Sequence, residues 1–180
     1  MRIRIGNSVG VSACGDHFIH FPSRWTSSVE KERSFVYYPY ELAYLSALLK
    51  RDTAHDVMLI DGNCLRLNAE EYSRLLQQHR PEILVMEPAT VTYQDDLAVA
   101  RALQQTCGTR VIFVGQHASA FPAETLADGI DYVCVGEYEY TVLDIVSGKP
   151  PREILGLYPN GRRPLLDVDT LPFPEDNDIS

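Results

Sequence analysis

Four runs of consecutive apolar residues divide the chain: Val57-Met58-Leu59-Ile60, Ile83-Leu84-Val85-Met86, Val111-Ile112-Phe113-Val114 and Tyr132-Val133-Cys134-Val135. None alternates apolar with polar. Such runs predict strands buried on both faces, as in a parallel sheet covered by helices. Residues 2–5 predict a fifth strand at the start. Helical spacing fills the gaps, with Leu42, Leu45, Leu48 and Leu49, then Tyr72, Leu75, Leu76 and His79, then Leu97, Ala100 and Leu103. Asn68 with Glu71 is a helix-start signal, and Thr92 with Asp95 repeats it. Pro122 opens a short helix to Asp128. Tyr138, Val142, Ile145 and Val146 mark a last helix, which Gly148 ends.

This alternation predicts an α/β domain with a doubly wound, Rossmann-like sheet of five parallel strands and helices on both faces. With right-handed crossovers the expected strand order is the flavodoxin-like 2-1-3-4-5. The domain spans 1–148. Within it, 7–37 is a long loop or cap, well above the usual βα connection length. Residues 149–180 read as a small hairpin around Asn160-Gly161, followed by the Pro-punctuated linker Leu171-Pro172-Phe173-Pro174 leading to a further domain.

Composition narrows the class. The 180 residues include 16 Lys and Arg against 25 Asp and Glu, a net charge of −9, which argues against a nucleic-acid partner. Neither a long apolar span nor a signal-peptide h-region is visible, so no membrane partner and a cytoplasmic location are expected. Cys14, Cys64, Cys107 and Cys134 form no Cys-x-x-Cys pair and read as reduced thiols.

In a doubly wound sheet, ligands bind outside the carboxyl ends of the strands. Those ends carry Asn7-Ser8, Asp61-Gly62-Asn63, Glu87 through Tyr93, Gly115 through Ser119, and Gly136 through Glu139. Small and hydroxyl residues there suit either close approach to a large flat ligand or plain tight turns. No Gly-x-Gly-x-x-Gly and no P-loop is present.

Several of these segments together resemble the cobalamin (B12)-binding domains that precede radical S-adenosylmethionine domains. Tyr38-Pro39 with Leu42 and Leu45 resembles the family's Pro-x-x-Leu-x-x-Leu helix. Arg80-Pro81-Glu82-Ile83 resembles its entry to the third strand, and Gly115-Gln116-His117-Ala118 its Gly-Gly-Pro-His stretch. Gly129-Ile130-Asp131-Tyr132-Val133 with Gly136-Glu137-Tyr138-Glu139 resembles its Gly-Val-Asp-Tyr and Gly-Glu-Gly-Glu signature, departing from it at Tyr138. Leu171-Pro172-Phe173-Pro174 resembles the joint to the radical domain. The resemblance covers the chain from about residue 37.

The resemblance implies cobalamin as cofactor. Asn7, Ser8, Tyr38, Pro39, Leu42, Ala89, Thr90, Val91, Thr92, Tyr93, Gly115, Gln116, His117, Ala118, Gly136, Glu137, Tyr138 and Glu139 are the implied contacts. It implies a base-off state without a His below cobalt, since the chain has no Asp-x-His-x-x-Gly. It implies a radical S-adenosylmethionine domain as partner, in cis or in trans, within a methyltransferase or related enzyme. That domain would bind the [4Fe-4S] cluster and S-adenosylmethionine. This chain lacks Cys-x3-Cys-x2-Cys, so it is not expected to catalyse alone, and no catalytic or metal-ligating residue is assigned.

Single residues leave alternatives. His117 suits either cobalt or a scaffold role. Cys14, His17 and His20 beside Asp16 suit either zinc or a chance grouping. Glu137 and Glu139 suit either acid–base work or capping of the last helix. Phe18, Phe21, Trp25 and Phe35 either pack over the sheet edge or cap a corrin. Two other functions compete: a corrinoid-free flavodoxin-like interaction domain, and an enzyme with another small ligand such as a flavin.

Overall fold

A computed structural model describes residues 1–19, 28–30, 37–174 and 178. It opens with β1 (Arg2–Asn7), followed by a short antiparallel pair, β2 (His17–Ile19) and β3 (Ser28–Glu30). Then come α1 (Tyr40–Asp52), β4 (Asp56–Ile60), α2 (Ala69–His79), β5 (Ile83–Glu87) and α3 (Tyr93–Cys107). The series closes with β6 (Arg110–Phe113), α4 (Gly115–Ala120), α5 (Pro122–Ala127), β7 (Tyr132–Val133) and α6 (Glu139–Val146).

The main sheet runs β4-β1-β5-β6-β7, with every neighbour parallel. Counted among the five parallel strands alone, this is 2-1-3-4-5. The higher labels arise because the segment after β1, expected as a loop, contributes β2 and β3.

The apolar runs explain why the sheet is covered on both sides. In β5, Ile83 and Val85 face a core shared with Leu42, Leu45 and Leu49 of α1 and Val142 of α6. Leu84 and Met86 face a second core with Tyr72 and Leu76 of α2 and Leu97, Ala100 and Leu103 of α3. Alternate side chains of a strand point to opposite faces, so each run feeds two cores. Arg4, also buried, reaches Asp56 at 3.0 Å and the Asp56 backbone carbonyl at 2.9 Å.

Several expectations need correction. Gly115 through Ala120 form a helix, not a loop. The strand expected at 132–135 shortens to Tyr132–Val133, with Cys134 bridging to Leu157. Residues 154–166 form a turn rather than a two-stranded hairpin. Asn160 N donates to Leu157 O and Gly156 N to Gly161 O, while Val135 N donates to Gly156 O and draws the turn onto the sheet edge. The Asn68–Glu71 capping box is present in both directions. Its repeat at Thr92 is not, because the Thr92 hydroxyl is engaged by Asp96 instead. Among the described residues, no helix is long and apolar enough to cross a membrane.

Candidate functional site

The carboxyl ends of the strands carry two different groups of buried polar side chains. The first joins β1, β4 and the start of α3. Asp96 is fully buried and accepts from the Ser8 hydroxyl at 2.8 Å, the Thr92 hydroxyl at 3.1 Å and the Val9 N–H at 3.2 Å. The Ser8 and Thr92 hydroxyls also bond to each other. Asn63 donates to the Ser8 carbonyl at 2.6 Å, and Asp61 caps its own turn by accepting from Asn63 N and Cys64 N. Burial pushes the Asp96 carboxyl up to about 8, against the pull of these donors.

The second group sits where β5, β6 and β7 end. Glu87 is the last residue of β5 and pairs in register with Asn7 of β1. Its carboxyl lies over Gly115, where an added Cβ would come within 2.4 Å of Oε1; Gly115 also holds φ +81°. Tyr138, where the family pattern has Gly, is buried and donates to Glu87 Oε2 at 3.4 Å. Burial, with Glu41 and Glu139 nearby, pushes Glu87 up to about 8. Glu139 is buried in the first turn of α6. Burial and the neighbouring Glu137 and Glu41 raise its pKa.

Three acceptors of this second group have no partner among the described residues: Asn7 Oδ1, Glu41 Oε2 and Glu139 Oε2. Buried polar atoms are normally satisfied, so a cluster of orphaned acceptors calls for a donor from outside the chain. Beside them opens a cavity of about 520 Å³. Glu41, Glu87, Tyr138 and Glu139 line it, with Gly115, Gln116, Gly136 and Glu137 around the strand ends. Tyr44, Arg162, Leu165, Leu166 and Leu171 complete the wall.

Residues 162–171 therefore cover the site. Arg163 pairs with Asp144 and donates to the Thr141 hydroxyl, Leu166 N donates to Glu137, and Tyr140 donates to the Thr170 hydroxyl at 2.8 Å. Arg51 adds a bond to the Thr170 carbonyl.

The structure brings together only some of the residues singled out from the sequence. Gly115, Gln116, Gly136, Glu137, Tyr138 and Glu139 meet at the cavity, and Asn7 lies beside Glu87 on the neighbouring strand. Ser8 and Thr92 are buried and turned to Asp96. Pro39 and Leu42 are buried, Leu42 within the α1 core, and Tyr38 packs at that core's edge. Ala89, Thr90 and Val91 lie on the β5–α3 loop, Val91 well exposed.

His117 and Ala118 are buried on α4. His117 stacks between Tyr93, at 4.1 Å, and Phe121, at 5.1 Å, and its Nδ1 shares a 3.1 Å hydrogen bond with Thr90. Burial lowers its pKa. That packing matches the scaffold role. Among the described residues no group of three potential metal ligands occurs; Cys14 is exposed, while His20, Phe21, Trp25 and Phe35 lie outside the described residues.

Sequence reasoning missed Glu41, Tyr44, Arg162 and the Leu165-Leu166 pair, and passed over Glu87. The last had a visible signal: a carboxylate closing a run of residues buried on both faces. The tail residues had none, because their place depends on how the chain folds back.

Comparison with known proteins identifies the kind of ligand. Residues 29–146 match the family described as B12 binding domain. The chain is also 30% identical over 152 residues to an uncharacterized methyltransferase of Pyrococcus horikoshii, an alignment covering 76% of this chain and 33% of that protein. The chain thus spans about one third of the length of the curated relative it matches.

Proposed function

The chain belongs to the B12 binding domain family, and from that premise we propose that it is the cobalamin-holding module of a methyltransferase that acts together with a radical S-adenosylmethionine domain. The observation that carries the ligand is the cavity at the carboxyl ends of β5, β6 and β7, lined by the orphaned acceptors Glu41 Oε2 and Glu139 Oε2. Cobalamin carries amide and hydroxyl donors, so these residues fit it. The cavity has the volume of a drug-sized site, which suits the nucleotide tail of cobalamin rather than the whole molecule.

The cofactor is held base-off, with the nucleotide tail in this cavity. Its polarity orders the tail. Arg162, exposed on the covering segment, is the one cation among the described lining residues and suits the phosphodiester. Leu165, Leu166 and Leu171 offer apolar contact along the way. When bound, cobalamin supplies a cobalt centre able to carry a methyl group. The chain's own part is to bind and orient: α1 and α6 fix the acid floor, and the 162–171 segment shields the tail from water. The methyltransferase role draws on the relative's printed name, and the radical domain on the sequence resemblance. Neither the iron–sulfur cluster nor S-adenosylmethionine is assigned to this chain.

The test is reconstitution with hydroxocobalamin followed by desalting. A stoichiometric corrin spectrum is expected, and its cobalt(II) paramagnetic resonance should show no nitrogen splitting. A folded but colourless protein would favour the corrinoid-free interaction domain.

A further inference from the structure

The chemistry of the cavity floor says more about the ligand than the family does. Glu139 is 7% exposed and Glu87 4% exposed, and both line the cavity. Glu139 Oε2 and the adjoining Glu41 Oε2 have no partner among the described residues. Glu87 has one long bond, from Tyr138. Glu139 Oε2 and Glu41 Oε2 thus stand as free acceptors at the floor, while Glu87, kept protonated by burial, offers an O–H donor beside an acceptor oxygen. The mouth carries Arg162.

A linear tail of phosphate, ribose and base, entering with its phosphate beside Arg162, brings its base to the acids. Dimethylbenzimidazole presents methyl groups at its outer edge. Placed against Glu87 and Glu139 it would leave the orphaned acceptors unsatisfied and out of water, which is costly. A purine with an exocyclic amine presents an N–H donor beside a ring-nitrogen acceptor at the same edge, a match for an orphaned carboxyl oxygen and a protonated carboxyl.

We propose that this cavity selects corrinoids whose nucleotide base carries N–H donors, such as an adeninyl corrinoid, over dimethylbenzimidazolyl cobalamin, with Glu139 and Glu87 as the carboxyl groups that read the base. The inference rests on the cobalamin reading above and names the ligand subclass of that site. Glu41 contributes a further acceptor from α1.

The experiment compares three corrinoids on the same protein by equilibrium ultrafiltration with visible absorbance: adeninylcobamide, cobalamin, and cobinamide, which lacks the nucleotide. Satisfying one orphaned buried acceptor predicts that adeninylcobamide binds about tenfold more tightly than cobalamin. Cobinamide should bind more weakly than adeninylcobamide. In Glu139→Leu, checked for folding by circular dichroism, the preference should fall towards parity; in Glu139→Gln, whose amide still accepts, it should narrow less.

Cobalamin binding as tightly as adeninylcobamide overturns the proposal, as does a preference that Glu139→Leu leaves intact. Cobinamide binding as tightly as both would overturn it by removing the nucleotide from the cavity, while leaving corrinoid binding standing. Retention of none of the three would overturn the cofactor reading itself.

Discussion

Two buried carboxyl groups end up at the same edge of the sheet with opposite fates. Asp96 and Glu87 are both buried, and burial pushes both up to about 8. Asp96 is surrounded by donors from Ser8, Val9 and Thr92. Glu87 has one long bond from Tyr138, and orphaned acceptors stand close by. A saturated carboxyl knots loops together. An unsaturated one, next to a cavity, is where the protein leaves room for something else. The pKa shift alone would not separate the two, since desolvation dominates both; the donor inventory does.

Removing each carboxyl is the strongest way to break this comparison. Asp96→Ala strands the Ser8 and Thr92 hydroxyls and the Val9 N–H, and should cost about 3 kcal/mol in a denaturant titration. A cost below about 1 kcal/mol would show that the knot is ornamental.

The next contrast is in pH. The folded chain holds a proton on Glu87 that the unfolded chain releases near 4.5. Stability from this group is therefore complete below pH 4.5 and is lost as pH rises to about 8. Glu87→Gln should remove about 2 kcal/mol of the decline between pH 6 and pH 8. The decline that survives in this variant belongs to Asp96, Glu139 and Asp95, which behave with the same sign. An unchanged pH profile in Glu87→Gln would mean that the carboxyl is hydrated in solution.

Gly115→Ala sharpens the same site from the other side. It strains a backbone at φ +81° and drives a methyl into Glu87, for a loss of about 1–2 kcal/mol in thermal unfolding. A combined Gly115→Ala, Glu87→Ala protein should recover the part due to the clash and keep the part due to φ. The smallest effect is expected for Tyr138→Phe, because its bond to Glu87 is long; a change above about 1 kcal/mol would show that the bond is tighter than 3.4 Å in solution.

Much of the fold was legible because it depends on period. Each continuous apolar run had to be buried on two sides, and Leu42, Leu45 and Leu49 could meet the sheet only from a helix. The Asn68–Glu71 box was readable for a similar reason, since both partners lie within one turn. The same local reading failed at Thr92, where Asp96 and the distant Ser8 outcompeted the cap. It also failed at Gly115 through Ala120, whose small residues read as a turn but wind into α4, which carries the stacked His117.

The sequence by itself determined the element types, the parallel sheet and the family, because those rest on hydrophobic period and on motifs contiguous in the chain. Only the tertiary structure decided which strand-end residues face the cavity, that residues 162–171 close it, and that Glu41, Glu87 and Glu139 share its floor. These residues lie on α1, β5 and α6. No local pattern links such distant carboxylates: their meeting follows from strand order and helix packing, and their shifted protonation follows from the burial that packing imposes.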